Sequence, residues 1–351
     1  MPPSTNQPPT TLHRQFPKHS KYIIALWATS LICNIIALTT PFMQVNLAFS
    51  PTHIYSLPHS VKLMWQAHLY IVAILILGFS ILFPLIKLIL IAITWLIITS
   101  PQKQNRYINT LEKLGKWSML DIFVVCILLV LTNDQVVISS TIHYGVYFFL
   151  IAITLSMTTS LIIQNLIHNH VLPHTTSPSD HSQLICPARL AKNHNIPILI
   201  LWFIALFTLI AAVGIPFFRI EGFFFNQHAF SIFKTSITLF ESKIPVLAIF
   251  IFITLILTPF AYLIALIILW LGELTPHTYN RYIKIADTLY SWSMLDVFGF
   301  ALIVFLLEGR SLIKTAIKPG LYLLTLAIII TLTTAYLVTF LRNKYIKQLK
   351  N

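Results

Sequence analysis

Two aspartates head strongly apolar runs, Asp121 in KWSMLDIFVV and Asp296 in SWSMLDVFGF, and the same four residues, Trp-Ser-Met-Leu, precede each. A carboxylate placed there has two uses. Ser118-x-x-Asp121 and Ser293-x-x-Asp296 fit a capping box, in which Ser caps a helix and the acid reaches back to the Ser amide, with Trp117 and Trp292 as interface anchors. Inside a bilayer the same acid costs several kcal/mol unless it is paired or protonated, and it then marks a charge or proton pathway. Length separates the two readings. The apolar run from Asp296 to Leu307 gives only about 17 Å of helix before Glu308, Gly309 and Arg310, whereas a hydrocarbon core is ~30 Å thick. Both acids are therefore expected inside the membrane, beside a polar space.

Lys87, in GFSILFPLIKLI, is the other ionisable residue deep in an apolar run. It follows Pro84, which has no N–H, should free the carbonyl of Ser80 and should kink the helix. A Lys87–Asp121 pair is one expectation; the competing one is that Lys87 snorkels to the surface. The second run has Tyr262 at the matching place, with Pro259 beside Thr254 and Thr258, whose hydroxyls are expected to satisfy carbonyls that the kink releases. The histidines 168, 170, 174, 181 and 194, with Cys186, match no zinc-ligand spacing and read as a solvated linker. No phosphate-binding glycine loop, nucleophile elbow or metalloprotease helix occurs, and 9 glycines and 10 acids leave little material for one. The expectation is no enzyme, no metal and no cofactor.

The elements that must position these residues are set by composition. The 351 residues are 57% hydrophobic and 9% charged, with a mean hydropathy of +0.81, against roughly 25% charged in soluble domains. Long apolar runs, each near the ~20 residues of a bilayer crossing, and no alternating ~10-residue strands predict helices rather than a barrel. The net charge of +13 is scattered between these runs with no interleaved aromatic patch, so nucleic acid is not a partner. Cys33, Cys126 and Cys186 form no disulfide framework.

Sliding the chain against itself by 175 residues (296 − 121) aligns Pro41 with Pro216, His53 with His228, Pro84 with Pro259 and Arg106-Tyr107 with Arg281-Tyr282. The same shift aligns 117–121 with 292–296, Gly145 with Gly320 and Tyr147 with Tyr322. So many landmarks at one offset define two homologous halves. The expected organisation is a disordered segment 1–21, a first membrane domain 22–166, a linker 167–196, a second membrane domain 197–342 and a tail 343–351. Helices are predicted at 22–40, 67–99, 114–138 and 144–166, then at 197–215, 244–271, 289–307 and 320–341, the 67–99 run as one tilted or kinked helix. Of the 23 Lys and Arg residues, fifteen then fall on the side of both termini, seven on the other, and Lys87 within a span. The excess predicts cytoplasmic termini. The fold class is an all-α polytopic membrane protein of two parallel tandem repeats, about four transmembrane helices each and eight in total.

RYINTLEKLGKWSMLDIFVV, RYIKIADTLYSWSMLDVFGF and the upstream FPLIKL together resemble the signature of the paraquat-inducible protein A family, over about residues 20–166 and 195–342. Members of that family carry zinc ribbons of Cys-x-x-Cys pairs before each membrane domain. Here the pairs are missing, and only Cys186-Pro187 stands where the second would lie. The resemblance implies a Gram-negative inner-membrane component that works with a periplasmic MCE-domain protein to move phospholipids between membranes. Trp117, Ser118, Asp121, Trp292, Ser293, Asp296, Pro84, Pro259 and Lys87 are the residues it marks as functional candidates. Asp121 would be the coupling group, Lys87 its partner or a headgroup contact, and Ser118 a polar link. A scaffold that anchors or gates the periplasmic partner, and a small-solute secondary transporter, are the alternatives.

Overall fold

The computed structural model describes residues 11–47, 53–66, 68, 70–97, 116–117, 119–133, 138–171, 186–190, 195–221, 227–242, 244–309 and 315–350. It divides into two compact units, Met1–Val125 with Thr132–Thr175, and Cys126–Leu131 with Thr176–Asn351.

The first half runs through α1 (Leu12–Gln15), α2 (Pro17–Thr39), β1 (Met43–Leu47), β2 (His53–Tyr55), α3 (Leu57–Gln66), α4 (Tyr70–Ile76), the π-helical turn π1 (Leu77–Leu82), α5 (Phe83–Leu96), α6 (Leu120–Asn133), β3 (Ile138–Ile142) and α7 (Tyr144–Val171). Proline sets both ends of α2. Pro17 opens it at a position where no N–H is needed, and Pro41 drives the preceding Thr40 into an extended conformation that ends it. β1 then pairs antiparallel with β2 on one side and, from much later in the chain, with β3 on the other. Because β1 follows α2 and β3 precedes α7, the sheet fixes these helices as antiparallel neighbours. Ser30 Oγ ties them by donating to the Ala152 carbonyl at 2.7 Å. Where they meet the sheet, Gly145 N–H donates to Pro41 O at 3.2 Å, and a Cβ at Gly145 would lie 2.5 Å from that oxygen, so only glycine fits.

The second half repeats the plan as α8 (Pro187–Leu190), α9 (Asn195–Gly214), β4 (Phe218–Glu221), β5 (Gln227–Phe230), α10 (Ile232–Glu241), α11 (Pro245–Ile251), the π turn π2 (Phe252–Leu257), α12 (Thr258–Leu271), α13 (Pro276–Trp292), α14 (Leu295–Gly309), β6 (Thr315–Ile317) and α15 (Pro319–Lys350). Its sheet has the order β5-β4-β6. Gly320 N–H donates to Pro216 O at 3.0 Å, and a Cβ there would lie 2.3 Å from that carbonyl. Trp27 Nε1 donates to Leu88 O at 2.8 Å and Trp202 Nε1 to Leu263 O at 2.8 Å. These residues are 175 apart in both donor and acceptor, so the repeat extends to single hydrogen bonds.

Among the described residues, seven helical stretches are long and apolar enough to cross a membrane: Pro17–Thr39, Ala73–Leu96, Tyr144–Ile167, Asn195–Gly214, Pro245–Leu271, Thr278–Val304 and Pro319–Arg342. The counterpart of Thr278–Val304 in the first half falls largely outside the described residues. Within each half, the first and last spans meet the sheet at one end and leave it at the other. Several expectations change in detail. The predicted 67–99 helix begins at Tyr70, after His68 turns the chain with φ 62°. The predicted 289–307 helix is two helices with a break between them. Residues read as plain loops form the strands, the short helices α3 and α10 and most of α13, the segment expected to be disordered holds α1 and the start of α2, and Ile138, assigned to a helix end, opens β3.

Candidate functional site: a kinked helix joined to a broken one

The prolines expected to kink their helices do so through a wider turn. A proline ring collides with the carbonyl four residues back, and an inserted residue relieves the clash by forming a π turn. Phe83 N–H accordingly bonds to Gly78 O and Thr258 N–H to Ile253 O, each five residues back. This changes which carbonyl is affected. The donor that proline lacks would have served the oxygen five positions earlier, Phe79 O for Pro84 and Thr254 O for Pro259, rather than Ser80 O as the sequence suggested.

In the second half the partners of Thr254 O are visible. Thr258 Oγ1 donates to it at 2.9 Å, and so does the backbone N–H of Met294, at 3.3 Å, from the centre of the second WSMLD. Thr258 Oγ1 also lies 3.3 Å from Trp292 O, a carbonyl in the last turn of α13 that its own helix leaves unused. The break between α13 and α14 is therefore seated on the kink of the preceding span. Thr254 is about 25 Å of helix from Leu271 and about 14 Å from Pro245, so the break lies inside the apolar span and not at its edge.

The local chemistry of Asp296 is simpler than a capping box. Ser293 N–H, which that motif would give to the carboxylate, bonds instead to Leu289 O at 2.8 Å, and α14 starts only at Leu295. Met294 O accepts the first helical bond, from Phe298 N–H at 2.9 Å. Asp296, half-buried, accepts from Val297 N–H at 3.0 Å and lies in the first turn, where the helix dipole favours an anion. Trp292 and Ser293 are half-buried at the break. Phe298 packs edge-on to Phe217, centroids 5.9 Å apart, and Phe217 N–H bonds to Phe230 O at 2.8 Å, which carries the break through to the sheet.

The first half uses different side chains on the same frame. Where the second has Thr254 and Thr258, it has Phe79 and Phe83, whose rings meet at 4.8 Å, and Trp117 stacks on Phe79 at 5.7 Å. Ser118 lies outside the described residues, and of Asp121 only the backbone, in the first turn of α6, is described. Lys87 is completely buried in protein, so it does not snorkel, and its Nζ has no hydrogen-bond partner among the described residues. Ser80 Oγ, Asn34 Oδ1 and Ser160 Oγ are also buried without partners. Their counterparts 175 residues on are Leu255, Leu209 and Ala335, and Tyr262, in the place of Lys87, packs on Tyr290 at 5.5 Å. The two halves share a skeleton, but at these four positions the first has polar side chains where the second has Leu255, Leu209, Ala335 and Tyr262.

Sequence reasoning missed Asn34, Ser30 and Ser160. The available signal was polar residues at helical spacing within apolar runs, each facing an apolar residue in the other repeat. Of the linker candidates, only Cys186 has a described side chain. Its thiol is buried and donates to Leu271 O at 3.5 Å, and no group of three metal-ligating side chains occurs among the described residues.

Two repeats of helices, each closed by a three-stranded sheet and containing a proline-kinked span, define a helical multi-pass membrane protein with internal duplication. The family model described as paraquat-inducible protein A matches residues 21–170 and again 197–342. The chain belongs to the paraquat-inducible protein A family, with two tandem domains of that type. No curated protein and no solved structure matches it.

Proposed function

We propose that the protein is the inner-membrane component of an intermembrane phospholipid transport system, with both termini cytoplasmic, acting with a periplasmic MCE-domain partner. Movement of charge through the buried groups of the first half drives it. The observation that carries this reading is Lys87, a fully buried amine with no described hydrogen-bond partner, three residues beyond Pro84, the proline that kinks a membrane-crossing helix. Burial of an ionisable amine costs several kcal/mol unless it is paired, and a scaffold has no use for such a group. The broken crossing at WSMLD adds support, since discontinuous helices next to ionisable groups are how transporters place polar backbone at membrane depth. In this scheme Asp121 is the coupling carboxylate, Lys87 its partner, and the second half is the more rigid support.

The runner-up, a non-transporting scaffold for the periplasmic partner, is favoured by Asp296, which serves the first turn of its own helix. One experiment separates them. Wild type, Asp121→Asn, Asp296→Asn and Lys87→Ala are expressed in a strain lacking its own transport systems of this kind, with detergent sensitivity and membrane level scored together. Lys87→Ala and Asp121→Asn present at normal level but unable to restore the barrier support transport. Restoration by both variants favours the scaffold.

A further inference from the structure

The second sheet is followed by α10, ten residues whose polarity is reversed for a helix in water. Its buried positions include Thr235, Ser236 and Thr238 beside Ile232 and Leu239, while Phe233, Ile237 and Phe240 are exposed at 50%, 43% and 62%. The exposed three sit at i, i+4 and i+7, one stripe along the helix. We infer that this stripe is a membrane-contact surface, set into the acyl chains of the leaflet on the sheet side, so that α10 lies in the bilayer interface and anchors the second half.

Three features select lipid as the occupant. Ser242, where α10 is capped, is separated from Pro245, the first residue of a membrane-crossing helix, by only two residues, so the helix is held at the boundary of the apolar layer. The stripe continues into the exposed apolar residues Val246, Ile249 and Ile253 of that crossing helix, which face the same acyl chains. Lys234 and Glu241 are the exposed charged residues on α10, one in its first turn and one at its last residue, where long side chains reach the headgroups.

The first half supplies an internal contrast. Its equivalent helix α3 has Pro58, Lys62 and Trp65 at the positions of Phe233, Ile237 and Phe240, all exposed, with His59 exposed where α10 has Lys234. Lys62 falls in the middle of the face that α10 fills with Ile237. The same framework therefore puts one short helix in lipid and turns the other toward water.

Site-directed spin labelling in lipid nanodiscs tests this. The three native cysteines are buried, and unlabelled wild type measures their background. Nitroxides are placed by Ile237→Cys, Lys62→Cys and, as a lipid-facing reference, Ile249→Cys. Relaxation by oxygen, which partitions into acyl chains, is compared with relaxation by a water-soluble nickel chelate. The expected result is a several-fold higher oxygen-to-chelate ratio at 237 than at 62, equal to that at 249. A ratio at 237 matching that at 62 overturns the inference, because the stripe then faces water. Protection from both reagents at 237 also overturns it, since a protein surface or a second copy then covers the stripe.

Discussion

Replacing Thr258 with valine removes one hydroxyl and preserves the shape of the side chain, and it acts where the kink and the broken crossing join. That hydroxyl lies 2.9 Å from Thr254 O and 3.3 Å from Trp292 O. The single hydroxyl proton is shared between the two carbonyls; Thr254 O keeps the Met294 N–H, so the loss that nothing replaces falls on Trp292 O. A hydrogen bond between membrane helices is worth about 0.6 kcal/mol on average and about 1.7 at most, and a buried acceptor deprived of its donor costs about 1–3 kcal/mol. The expected destabilisation is about 1–2 kcal/mol. Thr254→Val is the control. Its Oγ1 donates within its own helix to Phe250 O at 2.8 Å, a back-bond worth no more than a few tenths of a kcal/mol. Unfolding of the purified protein by SDS titration in mixed micelles gives both values. A Thr258→Val protein within about 0.3 kcal/mol of wild type, or a Thr254→Val protein losing as much, refutes the idea that the threonine joins the two helices.

Gly320→Ala and Gly145→Ala force a Cβ against backbone oxygens at 2.3 Å and 2.5 Å, and each should cost about 3 kcal/mol or more, at the upper end of overpacking effects; Gly214→Ala, with nothing within 4 Å, should be neutral or stabilising in thermal unfolding. Trp27→Phe and Trp202→Phe each remove one hydrogen bond to a helix carbonyl at 2.8 Å, so denaturation should show nearly equal losses of about 1 kcal/mol. Lys87→Met replaces a buried amine with an apolar chain of similar length; with Asp121 as its proposed partner the change leaves that acid unpaired, and it should lower stability by about 3 kcal/mol while abolishing complementation. A variant that is both stabler and active contradicts the role given to Lys87.

Much of this was readable in the residues because hydrophobic length and internal repetition are strong signals. The 175-residue offset located the prolines, the glycines and both WSMLD segments, and the structure supplies the reason for several of them. Pro41 with Gly145, and Pro216 with Gly320, are contacts between the first and last helices of one half. The sheets were not legible. Their strands are three to five residues long and pair across long stretches of chain, so β1 and β3 carry no local signature of each other. The break at Ser293 was hidden because WSMLD is apolar enough to continue a helix, and the acceptor that stabilises Met294 N–H sits on another helix. The expected capping box failed for a related reason. Backbone bonds to Leu289 and Thr254 had already taken the Ser293 and Met294 amides before any side chain could compete.

The order of the strands has a consequence for biosynthesis. β1 is central in its sheet, yet its partner β3 is separated from it by the helices α3 to α6, and β4 is separated from β6 by α10 to α14. At ~5–20 residues per second of synthesis, the central strand of each half waits on the order of ten seconds with one edge unpaired. That edge is a template for wrong pairing until the last strand of its half arrives. Each half must therefore close its sheet as a late event in its own insertion. A ribosome stalled before Ile138 should leave a protease-sensitive hairpin, and one stalled after α7 should not.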